Sequence, residues 1–343
     1  MNASALVYLT SLHPDRELLA SRGGPSGEMA MSSSLVAGLS ELGLRVDPTG
    51  TLRRFLRRRA LQVLRRTPPD IAFFDPWSLA LAARYRAWPR QPRVPTYVLE
   101  WFGTTEAAIP DQTYLPPRNY LVPYPYPDLQ NRFLGFMLPS GKGAYFTSAT
   151  ELRTAFVRSR QTPRTYGLVW GKDPRYFGAR ERSLVQTLAT RVPMHLTVDW
   201  GSAPPLTGDG ILNHGHKEPE AWRALLRGAR FVLGLGDPIL GPTALEALAA
   251  GAVLLNPSFK PARSVEGNPG VSFDSQHTFA GTIGPPHVLS IDLAQPERVT
   301  RIVDDLLAHP PEPTEPLPRG LEEFTRDAYL SRLAALLPSR IQK

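Results

Sequence analysis

From position 231 the chain reads FVLGLGDPILGPTALEALAAGAVLLNPSF: an apolar run, a glycine-rich turn, a helical pattern and a second apolar run. Gly234 and Gly236 end the first run, and Gly241, Pro242 and Thr243 stand where the helix begins. Glycines let a ligand come close to the backbone, and the free N–H groups and positive dipole end of a helix start favour a phosphate or diphosphate. Neither the dinucleotide glycine spacing nor the P-loop pattern fits, because no Gly-Lys-Ser/Thr follows. Glu246, one turn or more into the helix, has two readings. Its carboxylate could accept hydrogen bonds from both ribose hydroxyls of a nucleotide, or it is an ordinary solvated helix glutamate. His214 and His216, two apart in a loop, do not make a metal site, and no metal is expected.

Such a turn needs a strand before it and a helix after it, and the whole chain alternates in that way. Short apolar runs at 5–12, 44–47, 71–75 and 96–102 are separated by helical patterns at 28–43 and 76–88, which reads as βαβα with a mainly parallel sheet. The alternation breaks in a Pro/Tyr-rich loop, 105–130, without a period of two or 3.6. It resumes with strands at 165–171, 194–199, 252–256 and 287–293 around the glycine turn, and with helices near 181–191, 218–229 and 296–309. The expected fold class is α/β, with an N-terminal domain over 1–160, a C-terminal domain over 161–310, and a linker and amphipathic helix over 311–343 that packs back on the first domain. In paired α/β lobes, ligands bind in the crevice at the carboxyl ends of the strands.

The length of 343 residues suits about two domains. A composition that is 42% hydrophobic and 20% charged is that of a globular protein, and the 36 prolines point to shaped loops. The absence of cysteine excludes disulfides and thiol chemistry, and favours a reducing, cytoplasmic setting. The N-terminus reads as a first strand rather than a signal peptide, and no run approaches the ~18 apolar residues of a membrane span. The net charge of +8 is concentrated in TLRRFLRRRALQVLRR, where an apolar stripe makes the arginines of the Arg53–Arg66 helix a solvated face or, alternatively, a contact for an anionic membrane. No nucleic-acid motif accompanies it, and the oligomeric state is not legible.

The glycine-turn stretch, followed by SQHTF and GPPHVLSIDL and preceded in order by GGPSGE (23–28), LEWFGT (99–104), NRFLGF (131–136), WGKD (170–173) and LNHG (212–215), resembles glycosyltransferase family 18, the N-acetylglucosaminyltransferase V family, over roughly residues 5–310. The resemblance implies a GT-B glycosyltransferase fold, two Rossmann-like domains with parallel sheets facing a cleft. It implies UDP-N-acetylglucosamine as donor on the C-terminal domain, a glycan hydroxyl as acceptor, and an inverting, metal-independent transfer with no cofactor. Glu28 matches the family's general base, although its residue type alone fits a helix N-terminal glutamate. Lys172 matches the family lysine for the leaving diphosphate, and Asn213 and Gly215 fall near the uracil or ribose. Two positions depart from the family: Leu240 replaces an acidic residue and Asn268 a lysine. In the shortened acceptor loop Tyr114, Tyr120, Tyr124 and Tyr126 either stack on a sugar or pack the loop. Without cysteines the chain reads as a bacterial-type, cytoplasmic relative, and the alternative is a non-catalytic nucleotide-sugar or glycan-binding protein on the same fold.

Overall fold

Parallel strands covered on both faces must be apolar on both, so they appear in sequence as continuous apolar runs. IAFF and YVL are such runs, and every residue of both is buried. The computed structural model describes residues 3–9, 26–48, 69–76, 78–79, 94–100, 115–125, 131–141, 143–265, 268–312, 315–339 and 341. The arginine-rich segment 51–66, Tyr114, Tyr126 and most of the 105–130 loop lie outside these residues.

The chain divides into two units, Met1–Met137 with Arg326–Lys343, and Leu138–Thr325. The first contains a sheet in the order β2-β1-β3-β4-β5-β6, built from β1 (Ser4–Tyr8), β2 (Arg45–Pro48), β3 (Ile71–Phe74), β4 (Thr96–Leu99), β5 (Tyr120–Val122) and β6 (Arg132–Phe133). All its pairings are parallel. Helix α1 (Ser26–Glu41) follows β1 among the described elements. It turns Met31, Leu35 and Leu39 inward at a spacing of four, which places them on one face.

The second unit carries β7 (Pro139–Gly141), β8 (Ala144–Tyr145), α2 (Ala149–Arg160), β9 (Tyr166–Trp170), α3 (Ala179–Ala189), β10 (Met194–Leu196), β11 (Ile211–Asn213), α4 (Pro219–Gly228), β12 (Ala229–Gly234), α5 (Thr243–Ala249), β13 (Val253–Val265), β14 (Asn268–Ser275), α6 (Thr278–Ile283), β15 (Val288–Ile291) and α7 (Pro296–Ala308). Its sheet runs β11-β10-β9-β12-β13, with β15 parallel to β13 and β14 antiparallel to it. Leu184, Leu188, Val299 and Val303, from α3 and α7, are buried in the same cluster as Val169, Leu196 and Leu233 of the strands.

Two boundaries differ from those expected at 160 and 310. Helix α2 belongs to the second unit because Leu152 and Phe156 are buried there, Phe156 edge-on to His287 with ring centroids 5.9 Å apart. The chain returns to the first unit at Arg326, where α8 (Arg326–Ala334) packs on α1. Gly38 makes that contact possible: a Cβ there would stand 2.8 Å from Leu333 Cδ2 and 3.0 Å from Tyr329 Cε1. The Tyr97 hydroxyl then donates to the Leu336 carbonyl at 3.2 Å, tying the segment after α8 to β4. The strand expected at 252–256 continues past Pro257 to Val265 and folds into a hairpin with β14. No helix among the described residues is long and apolar enough to cross a membrane.

Candidate functional site

In the second sheet the strand order turns around between β9 and β12: β10 and β11 lie to one side, and β13 and β15 to the other. Open parallel sheets bind ligands outside the carboxyl ends of strands at such a reversal. Trp170 and Gly234 are paired at the ends of these two strands, so the segments starting at Gly171 and Leu235 leave the sheet side by side. A Cβ at Gly171 would make only ordinary contact with Tyr176, Leu235 and Phe177, at 3.5–3.6 Å.

The turn from Leu235 to Pro242 is shaped by what its glycines leave out. Gly236 has φ +95°, and a Cβ would lie 3.0 Å from Arg263 Nη1. Its N–H donates to Gln276 Oε1 at 2.9 Å, and its carbonyl accepts from Arg263 Nη1 at 3.1 Å. The second Arg263 nitrogen holds Asp237 at 2.7 Å, while the guanidinium lies 4.8 Å from the centre of the Phe259 ring. Gly241 abuts the Trp170 ring, where a Cβ would come within 2.9 Å of Cζ2. Leu240 between them is buried with φ +57°, a conformation costing a non-glycine residue about 1–2 kcal/mol.

Pro242 is the N-cap of α5 and supplies no capping side chain; Thr243 begins the helix, half-buried. The Leu245 and Glu246 N–H groups both return to the Pro242 carbonyl at 3.0 Å. Glu246 is half-buried and accepts a hydrogen bond from Trp222 Nε1 at 3.1 Å. Burial raises its carboxyl pKa, opposed by the Trp222 hydrogen bond and the Arg223 charge. The solvated-surface reading of Glu246 therefore fails.

Lys172 is half-buried one residue beyond Gly171, and its carbonyl accepts the Asp199 N–H at 3.4 Å. Beside it Asp173 caps a short helical turn and binds Arg175 through both carboxylate oxygens. Those Arg175 hydrogen bonds are the main cause of the lowered Asp173 pKa. Asn213 bridges backbone to backbone: Oδ1 accepts from the Val198 N–H at 3.0 Å and Nδ2 donates to the Val198 carbonyl at 3.0 Å. Gly215, two residues on, has φ +65° and sends its N–H to Asn213 Oδ1 at 3.3 Å. The Asn213 amide thus shapes the loop. His214 Nε2 pairs with His195 Nδ1 at 3.1 Å rather than with His216. Among the described residues no group of three or more His, Cys, Asp or Glu could hold a metal ion.

On the first unit Glu28 sits in the first turn of α1, half-buried, where the helix dipole favours a carboxylate. Tyr120 and Tyr124 take the packing alternative. Each is 1% exposed, which leaves no ring face for a sugar. Tyr124 meets Phe136 edge-on at 6.0 Å, and burial, with the nearby Glu100 charge, pushes the Tyr120 hydroxyl up to about 12.

Residues 4–340 match the family model described as glycosyltransferase family 18. The chain belongs to glycosyltransferase family 18. It is 31% identical over 232 residues to human α-1,6-mannosylglycoprotein 6-β-N-acetylglucosaminyltransferase A, covering 65% of this chain and 29% of the relative. It is 26% identical over 381 residues to the Caenorhabditis elegans α-1,6-mannosylglycoprotein 6-β-N-acetylglucosaminyltransferase, covering 97% of this chain and 54% of the relative. The chain thus spans less than a third of the human relative's length and about half of the nematode one's. Among solved structures, AviGT4, a glycosyltransferase involved in avilamycin A biosynthesis, aligns with a TM-score of 0.53 at 14% identity, covering 99% of this chain and 98% of that one. That likeness carries the fold, which is GT-B.

Against the family 18 pattern, Leu240 falls inside the turn itself, and Asn268 opens β14 opposite Val265 at the hairpin end. Three residues around this family 18 turn escaped sequence reasoning: Trp222, Arg263 and Gln276. Gln276 lies in the SQHTF motif that helped carry the resemblance, but nothing in the motif itself indicates what its side chain holds.

Proposed function

We propose that the protein moves N-acetylglucosamine from UDP-N-acetylglucosamine to a hydroxyl of a glycan acceptor, with inversion and without a metal ion. The observation that carries this reading is the Glu246 carboxylate, half-buried and held by Trp222 Nε1 in the first turn of the helix that follows Gly241 and Pro242, at the reversal point of the sheet of a family 18 chain. In the proposed reaction the acceptor oxygen attacks C1 of the sugar and gives its proton to Glu28. The C1–O bond to the diphosphate breaks, and its electron pair leaves with UDP. Lys172 and the N–H groups at the Gly241–Thr243 helix start stabilise the charge that builds on the departing phosphate. Glu246 accepts hydrogen bonds from the ribose hydroxyls, and the Asn213–Gly215 loop lies against the nucleoside. The names of the relatives support an α-linked mannose as acceptor and a β-1,6 linkage as product.

The same proposal places the protein in the cytoplasm, supported by its lack of cysteine, with residues 53–66 resting on an anionic membrane. UDP release from UDP-N-acetylglucosamine across a glycan acceptor panel tests the reaction. Transfer at the full rate by Glu28→Gln would refute the base assignment.

A second reading, a binding protein without turnover, is favoured by Leu240, which puts a buried apolar side chain in the turn where the family carries an acidic one. Tight UDP binding in calorimetry with no transfer to any acceptor would select it.

A further inference from the structure

Gln276 has no part in the reaction proposed above, yet it is fully buried between β14 and α6, and its side chain and main-chain carbonyl are engaged around the glycine turn. Oε1 accepts the Gly236 N–H at 2.9 Å and Nε2 donates to the Pro238 carbonyl at 3.1 Å. Its main-chain carbonyl accepts the Leu240 N–H at 2.9 Å, and its own N–H donates to the Pro257 carbonyl at 2.8 Å. One side chain and its backbone thereby fix three points along residues 236–240 and anchor them to β13. Gly234 supplies the space, because a Cβ there would collide with Gln276 Oε1 and Pro257.

We propose that Gln276 is the positioning residue of the donor turn, setting the path of Gly236–Leu240 on which nucleotide binding depends. This rests on the donor site proposed above. A carboxamide suits the task because one rigid plane offers both an acceptor and a donor, without charge. An ionised carboxylate would accept from Gly236 but oppose the Pro238 carbonyl, and a thioether would do neither. Burial separates Gln276 from substrate, so its effect passes through the turn. The Gly236 N–H, already bonded, contributes conformation rather than a phosphate contact.

Calorimetric UDP titration of the wild type, Gln276→Met and Gln276→Glu, with Tm measured alongside, tests the proposal. The folded Gln276→Met protein is expected to bind UDP about tenfold more weakly, the scale of one or two buried hydrogen bonds. Gln276→Glu is expected to bind weakly at pH 8 and to recover as the pH falls, once the carboxyl gains a proton to donate to Pro238. A lowered Tm with unchanged UDP affinity in either folded variant would overturn the proposal and leave Gln276 a purely structural residue. If neither variant folds, hydrogen exchange of the wild type decides: the Gly236 amide should be protected before UDP is added and unaffected by it. Free exchange, or protection that appears only with UDP, overturns the proposal. A wild type that binds no UDP refutes the donor-site reading itself, whereas variants that bind like the wild type refute only the role of Gln276.

Discussion

The indole of Trp222 on α4 donates from Nε1 to the carboxylate of Glu246 on α5 at 3.1 Å, so one helix fixes the orientation of the other's acid. An unanchored carboxylate would rotate about its last torsion; this one is held in a set orientation. Trp222→Phe keeps the aromatic packing and removes the donor. UDP should then bind about five- to tenfold more weakly, while 2′-deoxy-UDP, which keeps only the 3′-hydroxyl for Glu246, should lose less. Parallel titrations of the two nucleotides check this.

Burial raises the Glu246 carboxyl above its ordinary value of 4.5, so the folded protein holds that proton more tightly than the unfolded chain. Stability from this group is therefore full at low pH and falls as pH rises from 4.5 through the raised value. Glu246→Gln should remove that slope and raise Tm at pH 8, yet lose about tenfold in UDP affinity because the amide puts a donor NH2 where the carboxylate has its second acceptor oxygen. Thermal melts at pH 5 and pH 8, with and without UDP, separate the two effects.

His277 runs the opposite way. It is fully buried, caps α6 by accepting the Ala280 N–H on Nδ1, and is held neutral by burial, its pKa lowered from 6.5 to about 3. Below pH 6.5 the unfolded chain takes up a proton that the folded one refuses, so stability falls as the pH drops toward 3. His195, lowered to about 4 by burial and by the His214 charge, adds to the same decline. His277→Asn retains a capping acceptor without a titrating ring. Its melting temperature should fall less steeply than that of the wild type between pH 6.5 and 4.

Gly241 adjoins a rigid ring rather than the flexible end of a chain. Gly241→Ala places a methyl group 2.9 Å from Trp170 Cζ2, and a ring that is 4% exposed has little room to yield. The expected cost is about 1–3 kcal/mol in stability, with the helix start displaced and UDP affinity reduced about tenfold or more. Denaturant melts and titration on the same preparation measure both.

How much of this was legible depended on how local the cause was. IAFF and FVLG read as strands because burial on two faces leaves an unbroken apolar run, and Gly236 and Gly241 could be singled out because a turn's need for glycine is written at the turn. Helix α2 also left a local signal that went unused: Ser148 Oγ accepts the Glu151 N–H at 3.3 Å, and Glu151 Oε2 accepts the Thr147 N–H at 2.8 Å, the Ser-x-x-Glu start of a helix. The hairpin of β13 and β14 was hidden because Pro257 and Pro261 interrupt the strand and its pairing shifts register. Trp222, Gln276 and Arg263 were hidden for another reason. Their hydrogen bonds close over 24, 40 and 27 residues, a distance at which residue type alone names no partner.

The contact at Gly38 has a bearing on the order in which the chain can fold. A ribosome releases residues in sequence, and domains condense as their parts emerge. Tyr329 and Leu333, which fill the space that Gly38 leaves against α1, are made only after all of Leu138–Thr325. The second unit can therefore be finished while the first still lacks part of its core. A nascent chain stopped at Thr325 should expose the α1 surface to proteases and chaperones, and α8, once released, should close it.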